Sequence, residues 1–216
     1  MRFSFVLPCM LLCSAVTASA QVSIGVQLPG LSIGINQPVF PELVPVPDCP
    51  VYYAPGSDLN YFFYDGLYWV YQGDEWYSSA WYNGPWRRVA PAYVPLFVLR
   101  VPVRYYRRPP AAFRGWRAEE PPHWGERWGH DWERRNRGWD QWDRHAAPSR
   151  AELPTYQRDY MGDRYPREFR RQQALHSEHY SYQPRDPVVR QQQYRQGGDR
   201  PGRGGAQERR RGPGPG

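Results

Sequence analysis

The stretch that decides the fold reads Asn60-Tyr-Phe-Phe-Tyr-Asp-Gly-Leu-Tyr-Trp-Val-Tyr-Gln-Gly-Asp-Glu-Trp-Tyr77, within a chain of 216 residues. Its aromatic residues favour β-strands. Two-residue turn signals interrupt them at Asp65-Gly66 and Gly73-Asp74, and a third follows at Asn83-Gly84. Such pairs supply the positive φ angles of tight hairpins. The pattern predicts four short antiparallel strands: Tyr61–Tyr64, Leu67–Tyr71, Glu75–Ser79 and Trp86–Ala90.

The second of these strands has no polar face. Strand alternation places Leu67, Trp69 and Tyr71 on one side of the sheet and Tyr68 with Val70 on the other. One face is expected to pack inward, and the other is covered by a second element or meets a partner. The sequence therefore predicts an α+β, mainly β fold with a small antiparallel aromatic β-module at residues 51–110.

The apolar run from Pro95 to Pro109 follows the strands. Pro95 and Pro102 suit the first turn of a helix better than a central strand. One or two short helices packed on the sheet are expected here.

Residues 111–145 are rich in tryptophan. At about 100° per residue, the last five rings fall within an arc of roughly 80°, which predicts one Trp-striped helix. Two interpretations stay open: the stripe lies on the sheet and completes the core, or it forms a face that contacts a membrane interface or a glycan. The second makes it a candidate interaction surface: Trp124, Trp128, Trp132, Trp139 and Trp142.

The N-terminus predicts export. Residues 1–20 carry Arg2, an apolar run from Phe3 to Val16 and an A-x-A cleavage site at Ala18-Ser-Ala20, the pattern of a secretory signal peptide. Leu12 before Cys13 argues against a lipid anchor. Cys49 is then the only cysteine of the mature chain, and it is interpreted as an inert loop thiol rather than a reactive or dimer-forming one. Residues 21–50 predict a β-hairpin arm and a Pro-rich linker, and no transmembrane span follows the signal.

The C-terminal part, residues 146–216, is predicted to be a disordered tail rich in Arg, Gln, Gly and Pro, and short helical patches around Arg164–His176 stay open as an alternative. From His145 onward, 14 Arg face 8 acidic residues, a surplus of +6, whereas residues 21–144 balance at 13 and 13. Arg209, Arg210 and Arg211 join the candidate interaction surface because they would attract anions. Export makes nucleic acid an unexpected partner, and anionic envelope polymers or peripheral membrane contact are the nearer expectation.

No catalytic motif is recognisable in the sequence. Asp65, Asp74 and Glu75 lie at turns, where acids usually serve the backbone. His123, Glu126 and His130 would share a helical face, and His176 and His179 form a looser pair, but zinc needs three or four well-placed ligands. The sequence therefore predicts no catalytic residues, no cofactor and no metal site.

Several motifs resemble a group of small, aromatic-rich exported proteins of Gram-negative proteobacteria that mostly carry no assigned activity. They are Tyr64-Asp-Gly-x-Tyr-x-Val-Tyr71, Trp76-Tyr77, Gly84-Pro-Trp86 and Arg100-Val-Pro102. The resemblance spans about residues 22–144. It implies a periplasmic, outer-envelope or secreted location and transfers no site residues.

The leading hypothesis is an exported, non-enzymatic interaction or structural module. Its expected partner is an envelope protein, a glycan or an anionic surface. The alternatives are a cell-wall-acting enzyme with an unrecognised site and a periplasmic metal-handling protein. A deep cleft lined by acids or histidines would favour the enzyme.

Overall fold

A six-stranded antiparallel sheet is the centre of the molecule in the computed structural model. The structure describes residues 34–155, 159–160, 164 and 166–197, which belong to the second of the two units into which the chain divides. The predicted signal peptide, the hairpin arm to residue 33 and Arg209, Arg210 and Arg211 lie outside the described residues. The predicted α+β class is confirmed.

The strands lie side by side in chain order, and each neighbouring pair runs antiparallel. The predicted strands are confirmed with small changes at their ends, and two short strands from the Pro-rich segment extend the sheet. Their bounds are β1 Val44–Pro45, β2 Tyr52–Tyr53, β3 Asn60–Tyr64, β4 Leu67–Gln72, β5 Glu75–Ser79 and β6 Arg87–Val89.

Two tight turns fix the register of the three central strands. Tyr64 pairs with Leu67 across the first turn, and Gln72 pairs with Glu75 across the second. Both central residues of each turn have positive φ: 50° and 90° at Asp65-Gly66, and 57° and 64° at Gly73-Asp74. These angles match the type I′ turn, whose twist suits adjacent antiparallel strands.

Both faces of the sheet are buried, as the alternation predicts. Trp69 and Tyr71 belong to one aromatic cluster, and Tyr68 and Val70 belong to another on the opposite side. The first cluster is covered by the segment after β6, including α1 (Leu96–Leu99), and the second by residues from the N-terminal side of the sheet and the 80–82 loop. The expected helix after Pro95 is thus confirmed.

The Trp-rich segment forms two helices, so the prediction of a single striped helix is wrong. Helix α2 spans Trp124–Trp128 and α3 spans His130–Arg135. Gly129 separates them with φ of +82°, a backbone angle outside the helical region. Trp139 lies in a turn beyond α3, and Trp142 follows it outside any helix or turn.

Residues 166–197 are not a structureless tail, so the prediction of disorder across 146–216 is wrong for them, whereas the alternative of helical patches around Arg164–His176 agrees with the first helix of this segment. Helix α4 spans Phe169–His179 and α5 spans Pro187–Gly197. Val189 is fully buried in the first cluster, and Gln196 donates a hydrogen bond to Ser78 Oγ over 3.0 Å. This polar segment orders because a few of its side chains fit the finished sheet, which its composition does not reveal. Every helix in the described ranges is too short or too polar to cross a membrane.

Candidate functional site

The predicted Trp surface divides into a buried and a half-buried set. Trp124 and Trp132 are buried, as the core interpretation predicts. Trp128, Trp139 and Trp142 are half-buried, and Trp116 joins them from the preceding turn. We call these four half-buried rings, Trp116, Trp128, Trp139 and Trp142, the aromatic ledge.

The ledge rests on the buried rings through direct ring contacts. Trp128 stacks on Trp124 with centroids 4.5 Å apart and an interplanar angle of 17°. Its other neighbour, Trp132, lies edge-on at 4.9 Å and contacts Trp139 at 5.6 Å. Trp124 is itself fixed, because its Nε1 donates a hydrogen bond to Leu99 O over 3.0 Å. The half-buried rings are therefore held in place by the core.

Arg100 anchors the end of the ledge. Its guanidinium carbon lies 5.1 Å from the centroid of the Phe97 ring and 5.2 Å from that of Trp142, both within cation–π range. Arg100 Nε also donates to Trp139 O, so one side chain positions two ledge residues. Burial lowers the pKa of Arg100. Sequence reasoning missed this role, because Arg100, the residue after α1, meets Trp139 and Trp142 only in the folded chain.

Charge around the ledge is balanced. Residues 124–144 contain five arginines and five acidic residues. Several form local pairs: Arg134 with Asp131, His123 Nδ1 with Glu126 Oε1 over 2.9 Å, and Arg127 Nη2 with Asp74 Oδ2 over 2.7 Å. The surface therefore offers exposed ring area without a strong field of either sign.

The candidate metal residues do not converge. His123 faces Glu126 and stacks on Trp116 at 4.7 Å, whereas His130 starts α3 beside Glu133. The expected shared helical face is lost at Gly129. His176 contacts the Trp81 ring at 5.0 Å, and His179 contacts Tyr160. Within the described part of the chain, no three His, Cys, Asp or Glu side chains are arranged to hold a metal ion.

The carboxylates of Asp65, in the β3–β4 turn, and Asp186, just before α5, join distant parts of the chain. Asp65 accepts hydrogen bonds from Tyr182 OH at 2.7 Å and from the Asp186 backbone N–H at 2.8 Å. Asp186 in turn accepts from Tyr64 OH at 3.2 Å and from the Val188 N–H at 2.8 Å. A depression of about 270 Å³ lies beside this pair. All four carboxylate oxygens already accept bonds from the protein, which is a structural arrangement rather than an acid–base one.

Tyr64 belongs to the same network. Burial and the neighbouring Asp186 and Asp65 raise its pKa well above the usual tyrosine range. The hydroxyl therefore stays protonated and remains a donor to Asp186. The network links the β3–β4 turn to the start of α5.

Cys49 is buried beneath α1, with Sγ 3.8 Å from Phe97 O. Burial raises the pKa of its thiol to about 11. Only the thiolate reacts, so alkylation of the folded protein at pH 7 is expected to be about a hundredfold slower than that of an unhindered cysteine peptide. Timed iodoacetamide labelling with mass spectrometry measures the rate, and the protein unfolded in urea is the control. A native rate equal to the urea rate would contradict the burial.

The same raised pKa has a consequence for stability. The folded state holds the thiol proton more tightly than the unfolded state. The contribution of the protonated Cys49 thiol to the free energy of unfolding is therefore complete below the ordinary thiol pKa. It is lost as the pH rises from that value towards about 11.

Comparisons with protein-family models, with curated proteins and with solved structures found no match for this chain. Any function assigned to the chain therefore rests on its own sequence, its fold and the geometry of the ledge.

Proposed function

We propose that this chain is an exported, non-catalytic module of the bacterial cell envelope that binds glycan through the aromatic ledge. The single observation that carries the proposal is the ledge itself: four half-buried indole rings, of which Trp116, Trp128 and Trp139 pack on a buried aromatic layer and Trp142 packs on Phe97 and Arg100. Trp is enriched where one side of the ring is apolar and the other is wet. A glycan strand presents such a surface, because its rings carry apolar C–H faces between polar hydroxyls.

The geometry favours contact with an extended ligand. Three ledge rings, Trp116, Trp128 and Trp139, are held at fixed spacing by buried rings between them. The buried rings are Phe113, Trp124 and Trp132, and neighbouring centroids lie between 4.5 and 5.7 Å apart. Since the rings are already ordered, little side-chain entropy is lost when they bind. The local charge balance leaves ring contact as the main source of affinity.

Export and attachment rest on the sequence. The signal-peptide pattern of residues 1–20 supports a location outside the inner membrane. The arginine-rich end, with Arg209, Arg210 and Arg211, would hold it near anionic envelope polymers through long-range attraction. The ledge would then contact the glycan at short range.

Substitutions on the ledge test the proposal. We expect Trp128→Ala and Trp142→Ala each to weaken co-sedimentation with purified peptidoglycan sacculi, by about tenfold when combined, because each removes a stacking ring. Tyr194→Ala is the matched control, since Tyr194 is 75% exposed on α5 and is not a ledge residue.

Circular dichroism at the working temperature shows that each variant is folded. Unchanged sedimentation of the folded double variant would refute the ledge as the glycan surface. Equal losses in the Tyr194 variant would show that general aromatic exposure, and not the ledge, causes binding.

A further inference from the structure

A loop rich in arginine lies between α1 and α2. Residues 100–118 contain six arginines and no acidic residue, so the charge balance of residues 21–144 hides a local surplus of +6. The first of the six, Arg100, is half-buried, and the other five are exposed: Arg104, Arg107, Arg108, Arg114 and Arg117. We call residues 104–117 the arginine loop.

Buried rings hold the two arms of the arginine loop side by side. Tyr106 and Phe113 are both buried, and their ring centroids lie 5.3 Å apart. Arg107 directly follows the first of these rings, and Arg114 directly follows the second. Both arginines therefore leave the core at the same place, and the fold gathers charges that lie seven residues apart in the chain.

Three charges of the loop have no acidic neighbour. Arg108 and Arg117 each pair with an acidic side chain over 3.2 Å. The others form no ion pair within the part of the chain that the structure describes: Arg104, Arg107 and Arg114. Exposed positive charges that are not neutralised by the protein attract anions from solution.

The tip of the arginine loop is apolar. It reads Pro109-Pro-Ala-Ala112, and all of it is exposed except the half-buried Pro110. A single tight turn at Ala111–Phe113 closes the tip, where the Phe113 N–H donates to Pro110 O over 2.9 Å. Two prolines and a hydrogen-bonded turn leave the tip little conformational freedom to lose on binding.

Arginines around a rigid apolar tip fit the surface of an anionic membrane. Guanidinium groups form strong hydrogen bonds with lipid phosphates. Apolar and indole groups suit the boundary between headgroups and acyl chains, and the half-buried Trp116 lies beside the tip because it stacks on Phe113 at 4.6 Å. A soluble polyanion would use the arginines but would leave the apolar tip in water.

We propose that the arginine loop docks the module on a bilayer that contains anionic phospholipid. Arg104, Arg107 and Arg114 contact the lipid phosphates, and the tip, residues 109–112, enters the headgroup layer. This inference goes beyond the glycan function and does not depend on it. It gives the folded part of the chain a membrane contact of its own, separate from the arginine-rich end.

The test is sedimentation of the protein, as residues 21–216, with sucrose-loaded vesicles of phosphatidylglycerol and phosphatidylcholine in equal parts. An arginine near an anionic surface strengthens binding about fivefold, so Arg107→Gln combined with Arg114→Gln is expected to weaken it about 25-fold. Both positions are exposed, and circular dichroism shows that the variant is folded. Vesicles of phosphatidylcholine alone are expected to bind the wild type and the variant equally weakly.

Arg170→Gln combined with Arg171→Gln is the matched control. It removes the same charge from two exposed positions on α4, outside the arginine loop, so vesicle binding should change little. Undiminished binding by the loop variant would overturn the proposal. Equal losses in the two variants would also overturn it, because net charge and not the loop would then cause binding.

A second measurement distinguishes a membrane from a soluble polyanion. Ala112→Cys labelled with the fluorophore NBD is expected to brighten and shift to the blue on the anionic vesicles, because the tip leaves water. Cys49 is buried and does not compete for the label. Ala174→Cys, at an exposed position on α4, is the control and should show no change. An unchanged signal from the tip of vesicle-bound protein would overturn the proposal, because the loop would then recognise anions without entering lipid.

The membrane and glycan proposals fail separately, since the vesicles contain no glycan and purified sacculi contain no phospholipid. Loss of vesicle binding in the Arg107 and Arg114 variant, with normal sedimentation on sacculi, supports the membrane contact and leaves the ledge unaffected. Loss of vesicle binding in that variant together with unchanged sedimentation of the ledge variants refutes the ledge alone.

Discussion

Replacing Trp124 by Ala is expected to lower the free energy of unfolding by about 4 kcal/mol, the cost typical of removing a fully buried Trp. Trp124 has 0% of its surface exposed and contacts Tyr71 at 5.3 Å and Trp76 at 5.8 Å. The substitution also leaves Leu99 O without its donor. Urea unfolding followed by tyrosine fluorescence and circular dichroism measures the change.

Trp142→Ala is the control for this prediction. Trp142 is half-buried and contacts Phe97 and Arg100, so its loss is expected to cost about 1 kcal/mol. Equal costs for Trp124 and Trp142 would contradict the division of the tryptophans into a buried layer and a ledge.

Asp65→Asn is expected to lower the free energy of unfolding by about 2 kcal/mol. Only 5% of Asp65 is exposed, and it accepts hydrogen bonds from Tyr182 OH and the Asp186 N–H. The Asn oxygen can still accept from the Asp186 N–H, but its NH₂ group can only donate, so the Tyr182 hydroxyl must become the acceptor and both charge-assisted hydrogen bonds are lost. Residues 180–197 should then exchange their amide hydrogens faster, which hydrogen-exchange mass spectrometry detects.

Asp74→Asn is the matched control for Asp65. Both aspartates have positive φ in tight turns, and Asn accommodates that angle, so backbone strain changes little in either variant. Asp74 is exposed and pairs with Arg127, and such pairs contribute about 0–1 kcal/mol. If Asp74→Asn released residues 180–197 as strongly as Asp65→Asn, the anchoring role of Asp65 would be wrong.

The central sheet could be predicted because its signals are local. Asp65-Gly66 and Gly73-Asp74 specify their turns by backbone preference, and once the turns are set, alternation assigns Trp69 and Tyr68 to opposite faces. The same short-range signals predicted the helix after Pro95. Each depends on a few neighbouring residues and needs no knowledge of the rest of the chain.

The wrong predictions concern segments whose structure depends on residues far away in the chain. The periodic tryptophans predicted one helix, yet tertiary packing allows Gly129 to break it and still seats Trp124 and Trp132 in the core. The low apolar content of residues 166–197 predicted disorder, yet Asp65 and Ser78 supply hydrogen-bond partners from more than 100 residues away. Arg100 carried no sequence signal as a site residue, because its role depends on neighbours brought close only by folding.

The sequence by itself determined the aromatic sheet, its turns and its register, since backbone preference and side-chain alternation act between neighbours. Only the tertiary structure decided which tryptophans are core and which are ledge, and that the C-terminal helices pack on the sheet. Burial is a property of the packed chain, so no local pattern of residues records it.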